Sequence, residues 1–99
     1  MSAPPVREAR RLLIAGKVQG VGYHWNMLQQ ATQLGLAGWV RNRRDGSVEA
    51  QACGGDEPLA ALIAWARKGP PGARVEQVEV ERIDDAGEIG TSFVQQATA

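Results

Sequence analysis

Apolar and polar residues alternate near the start of the chain and then take up helical spacing. Residues 11–18 predict a strand because one side is apolar or small throughout, at Leu12, Ile14, Gly16 and Val18. From about residue 24 to residue 34 the spacing becomes that of an amphipathic helix, with Met27, Leu28, Ala31 and Leu34 on its apolar side. The pattern therefore predicts a strand that passes through a short turn directly into a helix.

The next part of the pattern predicts a hairpin of two strands. Residues 38–43 and 48–53 are typical of strands, and Asp45-Gly46 between them is a dipeptide that favours a tight turn. Because side chains alternate along a strand, the inward side of the second strand is expected to carry Val48, Ala50 and Ala52, and the outward side Glu49, Gln51 and Cys53.

The last part of the chain predicts a second helix and a long strand. Residues 56–68 have a helical apolar stripe, with Asp56 as the expected N-cap and Pro58 in the first turn. Residues 73–83 predict a strand whose alternation slips, which indicates a β-bulge near Glu76 and Gln77. Residues 84–90 are expected to form a loop, and residues 91–96 a short edge strand through Phe93.

The order of these elements predicts an α+β fold. A β-α-β-β-α-β order is that of a ferredoxin-like sandwich, an antiparallel sheet of four to five strands with two helices on one face. We expect residues 1–9 to form a flexible tail and residues 10–97 a single domain. The first two strands run the same way and the third lies between them, so Val18 and Asn42 should end at one edge of the sheet, about 10 Å apart.

The turn after the first strand is a candidate anion site. Its backbone N–H groups and the following helix N-terminus would converge on a phosphate, and the residues concerned are Gln19, Gly20, Val21, Gly22, Tyr23 and His24. The alternative is that the two glycines only permit a tight turn. Asn42, which the topology brings to the same edge, is a candidate polar partner for this site, or it only bonds the hairpin.

Composition excludes several classes of function. The formal net charge is +0 at pH 7, which removes the strong nonspecific attraction of a basic chain to nucleic acid or to an anionic membrane. No apolar run is long enough to span a bilayer, and the first residues lack the apolar core of a secretory signal. Cys53 is the single cysteine, which excludes an internal disulfide or a site of several thiolates. We therefore expect a cytoplasmic monomer.

Several linked motifs resemble the acylphosphatase family. They are the stretches Gly16-Lys17-Val18-Gln19-Gly20-Val21-Gly22-Tyr23, Gly35-Leu36-Ala37-Gly38-Trp39-Val40-Arg41-Asn42, Asp45-Gly46-Ser47-Val48-Glu49 and Gly69-Pro70 with Ala73-Arg74-Val75. The resemblance implies hydrolysis of small acyl phosphates to a carboxylate and inorganic phosphate, without a metal or other cofactor. It also implies that the amides of residues 19–24 and an arginine hold the phosphoryl group, while Asn42 positions the attacking water.

The expected arginine is absent from this chain, because His24 occupies its place after Tyr23. An arginine grips two phosphate oxygens with a permanent charge, whereas a histidine offers one N–H there and loses its charge near neutral pH. Losing one preorganised donor at a developing charge costs on the order of 10²–10³ in rate. The sequence therefore predicts weakened activity, unless another arginine supplies the missing charge. Arg41, Arg43 and Arg44 are nearest in sequence, but strand parity points Arg41 and Arg43 away from Asn42, which leaves Arg44 in the loop or a bent Arg43.

The residues leave one alternative to hydrolysis open and disfavour another. A noncatalytic domain of the same family would bind a phosphate-bearing ligand or a protein partner, and His24 would then be an ordinary residue at a helix start. RNA binding fits poorly, because such sheets stack bases on aromatic side chains of the first and third strands and neither strand carries one here.

Overall fold

The computed structural model describes residues 8–83 and 90–99, and these form one five-stranded sheet with two helices. The elements in chain order are β1 (Glu8–Lys17), α1 (Tyr23–Gln33), β2 (Ala37–Asn42), β3 (Val48–Gly54), α2 (Asp56–Lys68), β4 (Arg74–Ile83) and β5 (Phe93–Gln95). Neither helix is long and apolar enough to cross a membrane. The predicted ferredoxin-like order of strands and helices is confirmed.

β3 lies between β1 and β2, as the topology predicts. The strand order across the sheet is β4-β1-β3-β2-β5, and β3 pairs antiparallel with both of its neighbours. β1 and β2 therefore run in the same direction and end at the same edge of the sheet. The predicted antiparallel pairing holds for β4, β1, β3 and β2. The sheet as a whole is mixed, since β5 pairs parallel with β2 on the edge of β2 away from β3.

The core lies between the helices and one face of the sheet. β3 contributes Val48, Ala50 and Ala52, which are fully buried as predicted. Their small side chains let the helices pack close to the middle of the sheet, where Leu12, Ile14, Met27 and Leu62 are also fully buried. Tyr23 joins the two helices, because its hydroxyl donates to the Ala66 carbonyl at 2.7 Å and its ring lies 5.2 Å from that of Trp65.

Several predicted element boundaries shift in the structure. β1 begins at Glu8, inside the segment expected to be a tail, while residues 1–7 lie outside the described residues. Residues 84–89 of the predicted loop also lie outside them. The N-cap of α2 is Gly55 rather than Asp56, which is the first helical residue and places its charge in the favourable first turn. The predicted bulge is confirmed, because Ala15 pairs with Gln77 and Gly16 with Val75, leaving Glu76 unopposed.

The open face of the sheet holds a buried carboxylate. Glu49 was expected to face outward; it does lie on that face, but only 5% of it is exposed. Arg11 Nε donates to one carboxylate oxygen at 2.7 Å, and Arg41 donates to the other at 2.8 Å from Nε, while its guanidinium also stacks on Trp39. Burial alone would raise the pKa of Glu49, but these two hydrogen bonds and charges outweigh it and hold the pKa below its usual value.

Replacing Glu49 should therefore weaken the sheet in a pH-dependent way. A carboxyl whose pKa is lower in the folded chain stabilises it above the usual glutamate pKa, and that stabilisation is lost as the pH falls through the lowered value. We expect Glu49→Gln to reduce the free energy of unfolding at pH 7 by about 1–3 kcal/mol. The difference from the native chain should narrow in acid, as measured by urea unfolding at several pH values.

Glu79→Gln is the matched control, because Glu79 is an exposed carboxylate on neighbouring β4. Its free energy of unfolding should change by less than about 0.5 kcal/mol. Equal effects of the two substitutions at pH 7 would show that the arginines around Glu49 do not stabilise the sheet.

A candidate anion site at one edge of the sheet

Residues 18–22 connect β1 to α1 through a turn that only glycine forms without strain. Gly20 and Gly22 have φ values of 76° and 78°, and Gly22 is the N-cap of the helix. No side chain in residues 8–83 or 90–99 caps this helix, and its first turn holds no acidic residue. The N–H groups at its start therefore remain available to an external acceptor, and the helix dipole favours a negative one.

The side chain of Gln19 ties this turn to the β2–β3 hairpin. Its Nε2 donates to the Arg43 carbonyl at 2.6 Å and to the Ser47 carbonyl at 2.8 Å. These carbonyls belong to the residues that follow Asn42 and precede Val48, and Asn42 pairs with Val48 in the sheet. One amide group thus bridges the two strand ends that the topology brings to the same edge.

Asn42 lies at the end of β2, next to the turn. It shares the helix-facing side of its strand with Val40, and its partner Val48 is fully buried. Its Oδ1 is buried and accepts no hydrogen bond from any described residue. Leaving a buried acceptor without a hydrogen bond costs about 1–3 kcal/mol. This oxygen therefore favours a hydrogen-bond donor from outside the chain.

The hairpin beside Asn42 is held by its own side chains. The Asp45 carboxylate accepts from the Ser47 hydroxyl at 2.6 Å and from the Ser47 N–H at 2.9 Å. These hydrogen bonds, the side-chain one foremost, lower the pKa of Asp45. The C-terminal residue adds a further support, because the Ala99 N–H donates to the Asn42 carbonyl at 3.0 Å and the Ala99 carbonyl accepts from Arg44.

Tyr23 and His24 are the first two residues of α1, and their side chains differ in burial. Tyr23 is fully buried, with a pKa that burial raises, so only its backbone faces the turn. His24 is half-buried, and its side chain forms no hydrogen bond or ion pair with the described part of the chain. Its imidazole is therefore not committed to another contact there.

The nearby arginines are not equivalent. Arg41 is held on the opposite face of the sheet by Glu49 and Trp39. Arg43 lies close enough to Asp45 for its charge to act on that carboxyl, and Arg44 is exposed. Of these three arginines, Arg41 is thus engaged elsewhere.

Charge is unevenly distributed although the net charge is +0. β1 and β2 end, and β4 begins, at the edge that carries the turn, and α2 ends nearby. Among the described residues, this end carries the cations Lys17, Arg43, Arg44, Arg67, Lys68 and Arg74 and the acids Asp45 and Glu76. Such a cluster attracts anions to the turn. In residues 8–83 and 90–99, no group of three His, Cys, Asp or Glu side chains could hold a metal ion.

The hydrophobic pattern identified the turn and Asn42 but not the role of the Gln19 side chain. Gln19 was a candidate only for its backbone N–H, and its amide instead bonds carbonyls 24 and 28 residues away. In the sequence, Gln19 is only a polar residue between the buried end of a strand and a glycine. Local patterning does not indicate which group such a side chain bonds.

Comparisons with known proteins agree with this geometry. An acylphosphatase family model matches residues 10–94. The chain is 47% identical to an acylphosphatase of Rhizorhabdus wittichii over 95% of this chain and 93% of that protein, and 49% identical to one of Thermococcus kodakarensis over 89% and 97%. A solved acylphosphatase structure from Coxiella burnetii superimposes with a TM-score of 0.84 at 34% identity, covering 91% of this chain and 93% of that one.

Removing the Gln19 amide should loosen the link between turn and hairpin. We expect Gln19→Ala to lower the free energy of unfolding by about 1–2 kcal/mol, since two hydrogen bonds are lost while each carbonyl keeps one backbone partner. Gln19→Glu should cost more, because a carboxylate would face two carbonyl oxygens. Urea unfolding measures the stability, and an NMR titration with inorganic phosphate measures anion binding, which should weaken in both variants.

Gln33→Ala serves as the control at an exposed position at the end of α1. Its stability and phosphate affinity should match those of the native chain. If Gln19→Ala behaves like Gln33→Ala in both measurements, the Gln19 bridge contributes nothing to the site.

Proposed function

The chain belongs to the acylphosphatase family, and on that premise we propose that it hydrolyses the carboxyl–phosphate bond of small acyl phosphates. The observation that carries this proposal is the buried, unbonded Oδ1 of Asn42 beside an uncapped helix N-terminus. One group can hold a water molecule and the other an anion, and hydrolysis of a phosphate ester or anhydride needs both at adjacent positions.

In the proposed reaction, N–H groups of residues 19–24 bind the phosphoryl oxygens. Asn42 Oδ1 accepts a hydrogen bond from a water molecule and orients its lone pair toward phosphorus. The new P–O bond forms as the bond from phosphorus to the acyl oxygen breaks. A carboxylate leaves, and the proton lost by the water passes to solvent or phosphate. A carboxylate is a stable anion, so its departure needs no general acid, metal or cofactor.

His24 sets the rate in this proposal. Its position at the second residue of α1 is adjacent to the amides that would hold the phosphoryl group. A histidine offers the phosphoryl oxygens a single ring N–H, whereas the planar guanidinium of an arginine offers two. We therefore assign this chain a weakened activity. We also propose that it acts in the cytoplasm as a monomer and binds neither nucleic acid nor membrane.

A noncatalytic phosphate-binding domain is the second candidate. The feature that favours it is the same His24, because the family's arginine clamp is missing while the amide turn is retained. In that case the turn would bind inorganic phosphate and neither the native chain nor an arginine variant would release it from acyl phosphates.

Asn42→Ala should separate stability from activity. Removing an unbonded buried acceptor costs little, so the free energy of unfolding should stay within about 0.5 kcal/mol of native or rise. Hydrolysis of benzoyl phosphate should fall on the order of 10²–10³, comparable to the loss of one positioned catalytic group. Turnover at the native level in a folded Asn42→Ala variant would remove Asn42 from the mechanism.

His24→Arg should raise the activity at pH 7 by about tenfold or more, because a permanent bidentate donor replaces a ring that offers one N–H in that direction. The measurement is kcat/KM for benzoyl phosphate at pH 7.

Gln33→Arg adds an arginine at the far end of α1 and should leave the rate unchanged. A folded His24→Arg variant that binds phosphate and shows no hydrolysis would support the noncatalytic candidate instead.

A further inference from the structure

A second concave surface lies beside the turn, on the other side of the α1 N-terminus. This cleft, of about 430 Å³, is lined by Asn26, Trp65, Lys68 and the segment from Gly69 to Ala73. Its volume falls in the range of small-molecule sites. The cleft lies where α2 ends and β4 begins, next to the end of β1.

The cleft and the turn share structural supports. Asn26 stands one helical turn, about 5.4 Å, from the start of α1. Its Nδ2 donates to the Gly22 carbonyl at 2.8 Å, and its backbone N–H donates to the same oxygen at 3.0 Å. Tyr23 lies beneath the opposite wall, because a Cβ built on Gly69 would stand 3.1 Å from the tyrosine ring. The cleft and the turn are therefore neighbours that are held by the same first turn of α1.

The lining of the cleft combines carbon surface with polar groups. The Trp65 ring, two consecutive prolines and Ala73 offer carbon surface, and the Pro70-Pro71 pair restricts the backbone of that wall. Among the described residues, Lys68 is the only charged one in the lining. It is exposed and forms no ion pair with any residue in the described ranges. One ammonium group without an ion-pair partner there thus lines the cleft beside this carbon surface.

From this arrangement we propose that the cleft binds the acyl group of the substrate and selects acyl phosphates that carry a second negative charge at the far end of that group. The inference rests on the proposed function and specifies its substrate class. The carbon part of the acyl group packs on Trp65 and the prolines, and its terminal carboxylate pairs with Lys68. The C-terminal end of α2 is partially negative, so without Lys68 the cleft would repel such a carboxylate.

The test compares two substrates that differ only in the far carboxylate. These are 4-carboxybenzoyl phosphate and benzoyl phosphate, and the quantity is the ratio of their kcat/KM values. Lys68→Met keeps much of the apolar stem and removes the charge, and it should lower this ratio roughly three- to fivefold, as expected for one partly exposed ion pair. The effect should shrink at high ionic strength.

Arg67→Met is the matched control. Arg67 precedes Lys68 in the last turn of α2, carries the same charge and is also exposed, but it does not line the cleft. Its ratio should stay within about twofold of native. An unchanged ratio in Lys68→Met, or an equal fall in Arg67→Met, would overturn the proposal, the latter by showing that only the general charge of this end acts.

A binding measurement distinguishes failure of the cleft from failure of the proposed function. Calorimetry with 4-carboxyphenylphosphonate and phenylphosphonate requires no turnover, and Lys68→Met should weaken only the first. If neither acyl phosphate is hydrolysed by the native chain or by His24→Arg, the hydrolase function fails while this selective loss still supports the cleft. If benzoyl phosphate is hydrolysed but Lys68→Met does not selectively weaken binding of 4-carboxyphenylphosphonate, only the cleft proposal is overturned.

Discussion

The pairing of β3 between β1 and β2 is the constraint on which the rest of the structure depends. It brings the ends of β1 and β2 to one edge with a single strand between them. Everything assigned to the site is built at this edge: the glycine turn after β1, Asn42 at the end of β2, and the hairpin that follows it. Gln19 then closes the remaining gap, because its amide bonds the carbonyls on both sides of that hairpin. The chain topology brings the turn and the hairpin to the same edge, and the Gln19 side chain holds the two together.

The two faces of the sheet stabilise the domain in different ways. The helix face is apolar and relies on small residues of β3 for close packing. The open face relies on Glu49, whose carboxylate is nearly covered and is bonded by arginines from both neighbouring strands. Breaking such a group leaves charges without partners, which costs more than an exposed ion pair contributes. The same network holds Arg41 on the open face, away from the anion turn. Other basic residues lie at the end of the molecule that carries the turn.

Asn42 shows how a stability cost marks a candidate site. Buried polar atoms are nearly always bonded, and an unbonded one costs about 1–3 kcal/mol. Here the unbonded oxygen lies beside an uncapped helix N-terminus and at the end of the molecule where cations are concentrated. Acylphosphatase relatives match nearly the whole chain. The proposed hydrolysis would use the oxygen to hold water and the helix N-terminus to bind the phosphoryl group. The proposed rate depends on His24, and the proposed substrate preference depends on the cleft beside Asn26.

Periodicity and spacing in the sequence determined the elements, their order and therefore the common edge of Val18 and Asn42, since these depend on local backbone preferences and on the handedness of connections. The linked motifs likewise determined the family. Tertiary structure decided what each polar side chain bonds. Glu49 has the parity of a solvent-facing residue, yet Arg11, 38 residues away, and Arg41 cover it. The Gln19 amide donates to carbonyls of the hairpin, the first of them that of Arg43. β5 pairs parallel with β2 at the edge of the sheet. Local patterns specify the face on which a side chain lies, but its partners come from strands that only the folded register brings together.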